Sequence, residues 1–389
     1  MADHQPEGLT MRFPHPLPLL TALLLIGCDP GPESPGPTPD ESPRETQSIA
    51  APDPALADST LAAWRQGEQW LSGARTACAE MHERLDAFLA QPAQGSLAAT
   101  REAWHQCHTR WHHLEPLLTL GESSPGLFGD LREIAFQVDA HPIQPGYLDG
   151  LENYPYSGIV NDITLSINAQ TLREQHGLTD EADVALGLHA LEFLLWDEQG
   201  DRPVSDFEPR TSAGDDPMNA ERTVDQLPNN RRRALVRLIS QLLQDDLALL
   251  EQHWQSTSGR LPATYRQLSP SSRLPLLRDA LRSLLRERLP RELAQLEEPE
   301  LAHNAFAGQS LSVVISALAG TDQLLNAGDP AVVQWLVPEP TRTDWQPQWQ
   351  TLSRNLNEAD EIDPQGLSEQ LRSLGQALST PTPEFAPAP

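Results

Sequence analysis

The chain has 389 residues, 39% of them hydrophobic, three cysteines, no lysine, and a formal net charge of −28. So acidic a surface repels nucleic acid and anionic lipid headgroups, which excludes both as partners of the folded part. The length suits one large domain or two packed halves.

The first element in chain order is an apolar run, residues 17–27, that closes on Leu25-Ile26-Gly27-Cys28. It is too short to span a bilayer and has the length of a signal-peptide core. A small residue before a cysteine is what a lipoprotein signal peptidase requires, and the thiol receives the lipid. Residues 1–27 are therefore expected to be a lipoprotein signal peptide, with translation starting at Met1 or Met11, and Cys28 the lipidated terminus that tethers the protein to a membrane. Residues 28–55 are rich in Pro, Glu, Ser and Gly and read as a disordered tether. With Cys28 accounted for, Cys78 and Cys107 remain as a pair, which fits an exported protein.

Helical spacing begins near Leu56. Over 57–89 the apolar positions Leu61, Trp64, Trp70, Leu71, Ala74, Cys78, Met81, Leu85 and Phe88 share one face. Pro92 and Gly95 interrupt it, and a second helix is expected over 96–118 with Ser96 as its N-cap. An antiparallel hairpin through Pro92 brings Cys78, 14 residues before it, level with Cys107, 15 residues after it, so the two are expected to form a disulfide. A loop over 121–129 precedes a helix over 130–138 and an irregular stretch with Pro142, Pro145 and Pro155. Helices are expected over 161–176, 181–196, 231–254, 272–289, 309–326 and 365–378. The polar segment 201–230 reads as a loop or hinge between an N-terminal helical half, 56–200, and a C-terminal half, 231–378. Residues 379–389 read as a disordered tail. No alternating pattern requires a sheet, so the class is all-α, a helical bundle domain of two packed halves.

Two constellations carry chemistry. His189 and Glu192 are three apart on one helical face within an otherwise apolar run, Leu186 to Leu195. A carboxylate there is costly unless paired or metal-bound, so the pair either holds a metal or forms a structural hydrogen bond. His105, His108, His112 and Glu115 follow one stripe of the second helix. A histidine stripe suits zinc, copper or iron, but His105 and His108 read more simply as a polar outer face. No HExxH, Ser-His-Asp order, phosphate loop or Cys-x-x-Cys is present.

Several ordered segments resemble one family. Phe88-Leu-Ala-Gln-Pro92 followed by Ala103-Trp104, Glu115, Asp139-Ala-His-Pro142, Gly187-Leu-His189-Ala-Leu-Glu192, and Asp201-Arg-Pro-Val-Ser-Asp206-Phe207 are similar to imelysin-like proteins across residues 56–330. The chain departs from that pattern at His141, where the family carries Trp, at Asp197, where Gly is common, and after Phe306, where a polar run is reduced to Ala307, Gly308 and Gln309. The resemblance implies an imelysin-like helical bundle and a metal site of His189, Glu192 and Glu115. It implies iron as the favoured ion, zinc or copper as alternatives, and a partner protein in metal transport. The function it implies is a lipid-anchored periplasmic protein that binds or delivers metal. A metallopeptidase built on Gly-x-His-x-x-Glu, or a scaffold without metal, are the other readings. A peptidase needs a held ion, a polarised water and a free base, and one histidine with two carboxylates does not supply all three.

Overall fold

The computed structural model describes residues 53–215, 217–255, 260–298, 301–358 and 362–378. The expected signal peptide, Cys28, nearly all of the tether and the tail from residue 379 lie outside the described residues. The described residues belong to one compact unit, 51–389. They form helices joined by turns and irregular loops, with no strand among them and a lone bridge between Leu151 and Tyr154. None of these helices is long and apolar enough to cross a membrane.

Helix α1, Pro54–Ala90, and α2, Gln94–His112, form the antiparallel hairpin through Pro92. The hairpin aligns Cys78 with Cys107, whose Cα atoms are 4.5 Å apart across a disulfide. Helix α2 starts two residues earlier than the sequence suggests. Ser96 sits inside its first turn, where its hydroxyl accepts from the Ala93 N–H at 3.2 Å. It also stops earlier, at His112. Pro116 explains this, because its ring collides with the carbonyl four residues back; the chain resumes as a short turn of helix, Glu115–Leu118. The expected loop at 121–129 is largely helical: α3, Pro125–Asp139, absorbs Gly126 and Gly129 and bends at Phe128.

Helix α4, Gly187–Trp196, is shorter than the expected 181–196. Gly187 has φ of 82° and its Cα lies against the Val138 carbonyl, leaving no space for a side chain. At the other end Asp197 takes φ of 62°, a conformation that favours glycine. Its carboxylate accepts from the Gln199 N–H at 2.8 Å, which helps hold the turn. Arg101 of α2 donates to Leu195 O at 2.8 Å and to Arg202 O at 3.1 Å, closing the carboxyl end of α4.

The remaining long helices are α5, Pro228–Gln255; α6, Pro270–Ser283, which continues through a π turn, Leu284–Arg288, into Leu289–Gln295; α7, Ser312–Leu325; α8, Thr341–Glu358; and α9, Pro364–Ala377. Helix α8 was not among the expected elements, although Trp345, Trp349, Leu352 and Leu356 recur at helical spacing and are buried. The core is continuous between the two expected halves. Trp64 of α1 stacks on Trp254 of α5 at 4.4 Å and on Tyr265 at 4.6 Å. Burying one such ring contributes on the order of 2–3 kcal/mol.

Three successive arginines at the start of α5 bind the irregular part of the chain. Arg231 donates to the carbonyls of Ile159, Val160, Asp162 and Leu165. Arg232 pairs with buried Asp149 and donates to Asp206 O, and Arg233 donates to Phe207 O. These bonds satisfy carbonyls that no helix ladder reaches. They fix the two loops flanking α4.

Candidate metal centre

Five elements deliver side chains to one buried point. His108 and His112 are one turn apart on the inner face of α2. Asp139 ends α3, and His141 follows it. His189 and Glu192 lie on α4. Arg288 and Glu292 come from the π turn and the helix after it, and His303 and Asn304 from the turn segment 301–311. The reading of His108 as part of a polar outer face is corrected here: its side chain is 1% exposed. Its ring is sandwiched against Trp104, with centroids 4.9 Å apart and planes 20° from parallel.

The imidazoles share a pattern. His112 Nδ1 meets Glu115 Oε1 at 3.0 Å, His189 Nδ1 meets Glu192 Oε2 at 2.8 Å, and His303 Nδ1 meets Glu292 Oε2 at 2.9 Å. A carboxylate on Nδ1 fixes a proton there, so that in the neutral ring the lone pair is on Nε2. His108 differs: its Nδ1 lies 3.3 Å from the Asn304 amide nitrogen, which donates to it.

The four Nε2 atoms turn inward around Asp139. His189 Nε2 is 3.1 Å from Asp139 Oδ1, and His112 Nε2 is 3.3 Å from Asp139 Oδ2. His108 Nε2 is 2.9 Å from His112 Nε2, and His303 Nε2 is 3.9 Å from Asp139 Oδ2. One ligand atom from each of His108, His112, Asp139 and His303 lies within 4.8 Å of all the others. Two ligands about 2.1 Å from a common ion, at right or tetrahedral angles, are about 3.0–3.4 Å apart. The observed spacing has that scale.

Hydrogen bonding leaves the same atoms over. Asp139 Oδ1, His189 Nε2 and His303 Nε2 are buried with no hydrogen-bond partner among the described residues. His189 Nε2 and Asp139 Oδ1 face each other at 3.1 Å. Orphaned polar atoms converging at one buried point are costly unless an ion or water takes them up.

Glu192 and Glu115, the carboxylates that the sequence singled out as ligands, do not reach the centre. Glu192 spends one oxygen on His189 and the other on the Ala307 N–H at 2.9 Å. Glu115 is held by His112 and by the Arg288 guanidinium, with Nε 2.9 Å from its Oε2. They orient histidines, which leaves His189 as the member of the expected trio that faces inward. Glu115 and Glu192 thus serve two different histidines, one near each oxygen of Asp139.

Charge is distributed unevenly. Burial drives His108 well below the ordinary histidine value, and the neighbouring His112 adds to this. Burial also pushes His141 down to about 2, helped by His303 and His189. For His303 burial acts downward too, but Glu292 and Asp139 outweigh it and hold the imidazole at about 10. Burial would raise Glu292, yet His303 and Arg288 bring it to about 2. Asp139 stays ionised well below its usual range, because His112, His189 and His303 overcome its desolvation. The centre is a single inner carboxylate ringed by imidazoles, with an outer ring of three carboxylates balanced by Arg288.

Sequence reasoning missed His108, His112, Asp139 and His303 as inward-facing groups. His108 and His112 carried a signal in their i, i+4 spacing, and Asp139 stood in a quoted segment. His303 had no local signal, as it lies in a turn segment built on two left-handed residues, Asn304 at φ 53° and Gly308 at φ 69°.

The chain matches the family model of imelysin, peptidase M75, over residues 71–378. A similar solved structure is the crystal structure, at 2.30 Å, of a putative iron-regulated protein A precursor from Parabacteroides distasonis ATCC 8503. It superposes with a TM-score of 0.57 at 12% identity, covering 85% of this chain and 95% of that one, and so shares the fold. No curated protein matches the chain.

Proposed function

The chain belongs to the imelysin family, and on that premise we propose that its buried centre binds a first-row transition-metal ion, iron favoured, for metal acquisition or delivery. The observation that carries this is the convergence of four imidazole Nε2 atoms on Asp139, three of them with their outer nitrogens held by carboxylates. Imidazole with one carboxylate suits Fe(II), Zn(II) or Cu(II). Likeness to a protein described as iron-regulated favours iron among them. When bound, the ion takes up the charge and lone pairs that hydrogen bonding leaves over. The residues here position the rings, exclude water and hold the Nδ1 protons.

Binding fits the residues better than hydrolysis does. Glu115, Glu192 and Glu292 are each committed to a histidine, and Asp139 sits amid the inward nitrogens, so among the described residues at the centre no carboxylate is placed as a general base on a metal-bound water. We propose further that the protein works on the periplasmic face of a bacterial membrane, anchored by lipid on Cys28, and that it passes its ion to a transport partner. The apolar run ending in Leu-Ile-Gly-Cys supports the anchor; lipid labelling that persists in Cys28→Ser would exclude it.

The test is metal analysis of the soluble domain after chelator treatment and reloading. Wild type is expected to retain about one ion per chain, as a single set of four or five ligands holds. His189→Ala is expected to lose most of it. Equal metal in both proteins, or none in wild type under anaerobic Fe(II), Zn(II) and Cu(II) loading, would contradict the reading.

A further inference from the structure

His141 differs from every other histidine at the centre. It is partly exposed, whereas His108, His112, His189 and His303 are buried. Its ring lies flat on His303, with centroids 4.2 Å apart and planes 23° from parallel, and its centroid is 5.1 Å from that of His189. Among the described residues, nothing hydrogen-bonds either of its ring nitrogens, while each inner histidine has its Nδ1 engaged. A structural histidine at this depth ordinarily finds a partner. This one offers unengaged nitrogens between solvent and the inner ring.

Resting on the metal-binding reading above, we infer that His141 is a capture ligand, which takes a hydrated divalent cation from solvent and passes it to His189 and His303. The geometry suits stepwise transfer. His141 stacks on His303 and lies beside His189, so an ion released from it has only one side-chain layer to cross to reach the inner nitrogens. The net charge of −28 draws cations toward the protein, and a partly exposed ligand converts that enrichment into occupancy. Desolvating the ion in steps avoids bringing a fully hydrated cation into a buried site. The inner ring holds the ion once it arrives, so loss of a capture ligand slows loading and unloading together.

The experiment is stopped-flow mixing of Co(II), followed by its visible absorption, with the purified metal-free protein as wild type, His141→Phe and His141→Gln. Phenylalanine preserves the stack on His303 and removes both nitrogens; glutamine keeps polarity without an imidazole. Thermal midpoints in the same buffer establish that each variant is folded. Association and chelator-driven dissociation are both expected to slow by about tenfold in each variant, in the range that removing a supporting metal-site group produces. Unchanged rates in His141→Phe with normal Co(II) binding by wild type would overturn the inference and leave the metal centre standing. Faster dissociation at an unchanged association rate would overturn it too, by making His141 a resident ligand. Absence of Co(II) binding by wild type would remove the metal-binding reading itself, and the inference with it.

Discussion

Replacing Asp139 by asparagine is expected to weaken metal binding by more than about 100-fold, the upper end of what outer groups of a metal site contribute. Asp139 is the carboxylate that lies between the inward nitrogens, 3.1 Å from His189 and 3.3 Å from His112. It supplies the negative charge inside the ring, and an ion of charge two among neutral imidazoles depends on it. Asparagine keeps the shape and still accepts the indole N–H of Trp111, now 3.1 Å from Asp139 Oδ2. The variant is therefore expected to fold, and the loss to appear in calorimetric or competition titration rather than in circular dichroism. Affinity within a few-fold of wild type would place the ion elsewhere.

The second large effect concerns stability. Asp149 is 1% exposed at its side chain and pairs with two guanidiniums: Arg232, bonded to both oxygens at 2.5 and 3.1 Å, and Arg202 at 3.1 Å. Asp149→Ala leaves both buried arginines with only the more exposed Asp206, 3.2 Å from Arg202 and 3.9 Å from Arg232, as counter-charge. Breaking such a pair from one side costs about 3–5 kcal/mol, and denaturant titration of wild type and variant at neutral pH reads it directly. The loss is expected to exceed that for the exposed pair Arg84–Glu80, which contributes about 0–1 kcal/mol. The same group gives a pH dependence. Burial alone would raise the Asp149 carboxyl, but Arg232 and Arg202 hold it below its ordinary value. Its contribution is thus fully present above the unfolded carboxylate pKa of about 3.9 and is lost as pH falls below that toward the folded value. Wild type is expected to lose stability over that acid window, and Asp149→Asn to lose less of its remaining stability there. A variant as stable as wild type would mean that the two arginines find other partners.

The helices were largely legible because their apolar faces repeat at helical spacing, as in α1 and α5. Their limits were not, because Pro116 ends α2 through a clash with His112, and Gly187 starts α4 through contact with Val138, a residue far away in sequence. At the centre, His189 and Glu192 stood out as a polar pair in an apolar helix. Which of them faces the centre was not legible: spacing on a helix shows that two side chains share a face, and says nothing of which nitrogen a third element leaves free. Glu192 is drawn outward by the Ala307 N–H. That bond exists because the segment 301–311 folds over α4, and the same segment brings His303, which no periodicity marks. The segment looked depleted because its polar side chains are few. It acts through one imidazole, one amide and one backbone N–H.

The most direct test of the central claim is X-ray absorption at the iron edge of the Fe(II)-loaded soluble domain. A single nitrogen and oxygen shell near about 2.1 Å, with outer-ring scattering from three or more imidazoles, is the predicted result for ligation by His108, His112, His189, His303 and Asp139. A spectrum without imidazole scattering, or a shell dominated by carboxylate and water oxygens, would contradict it.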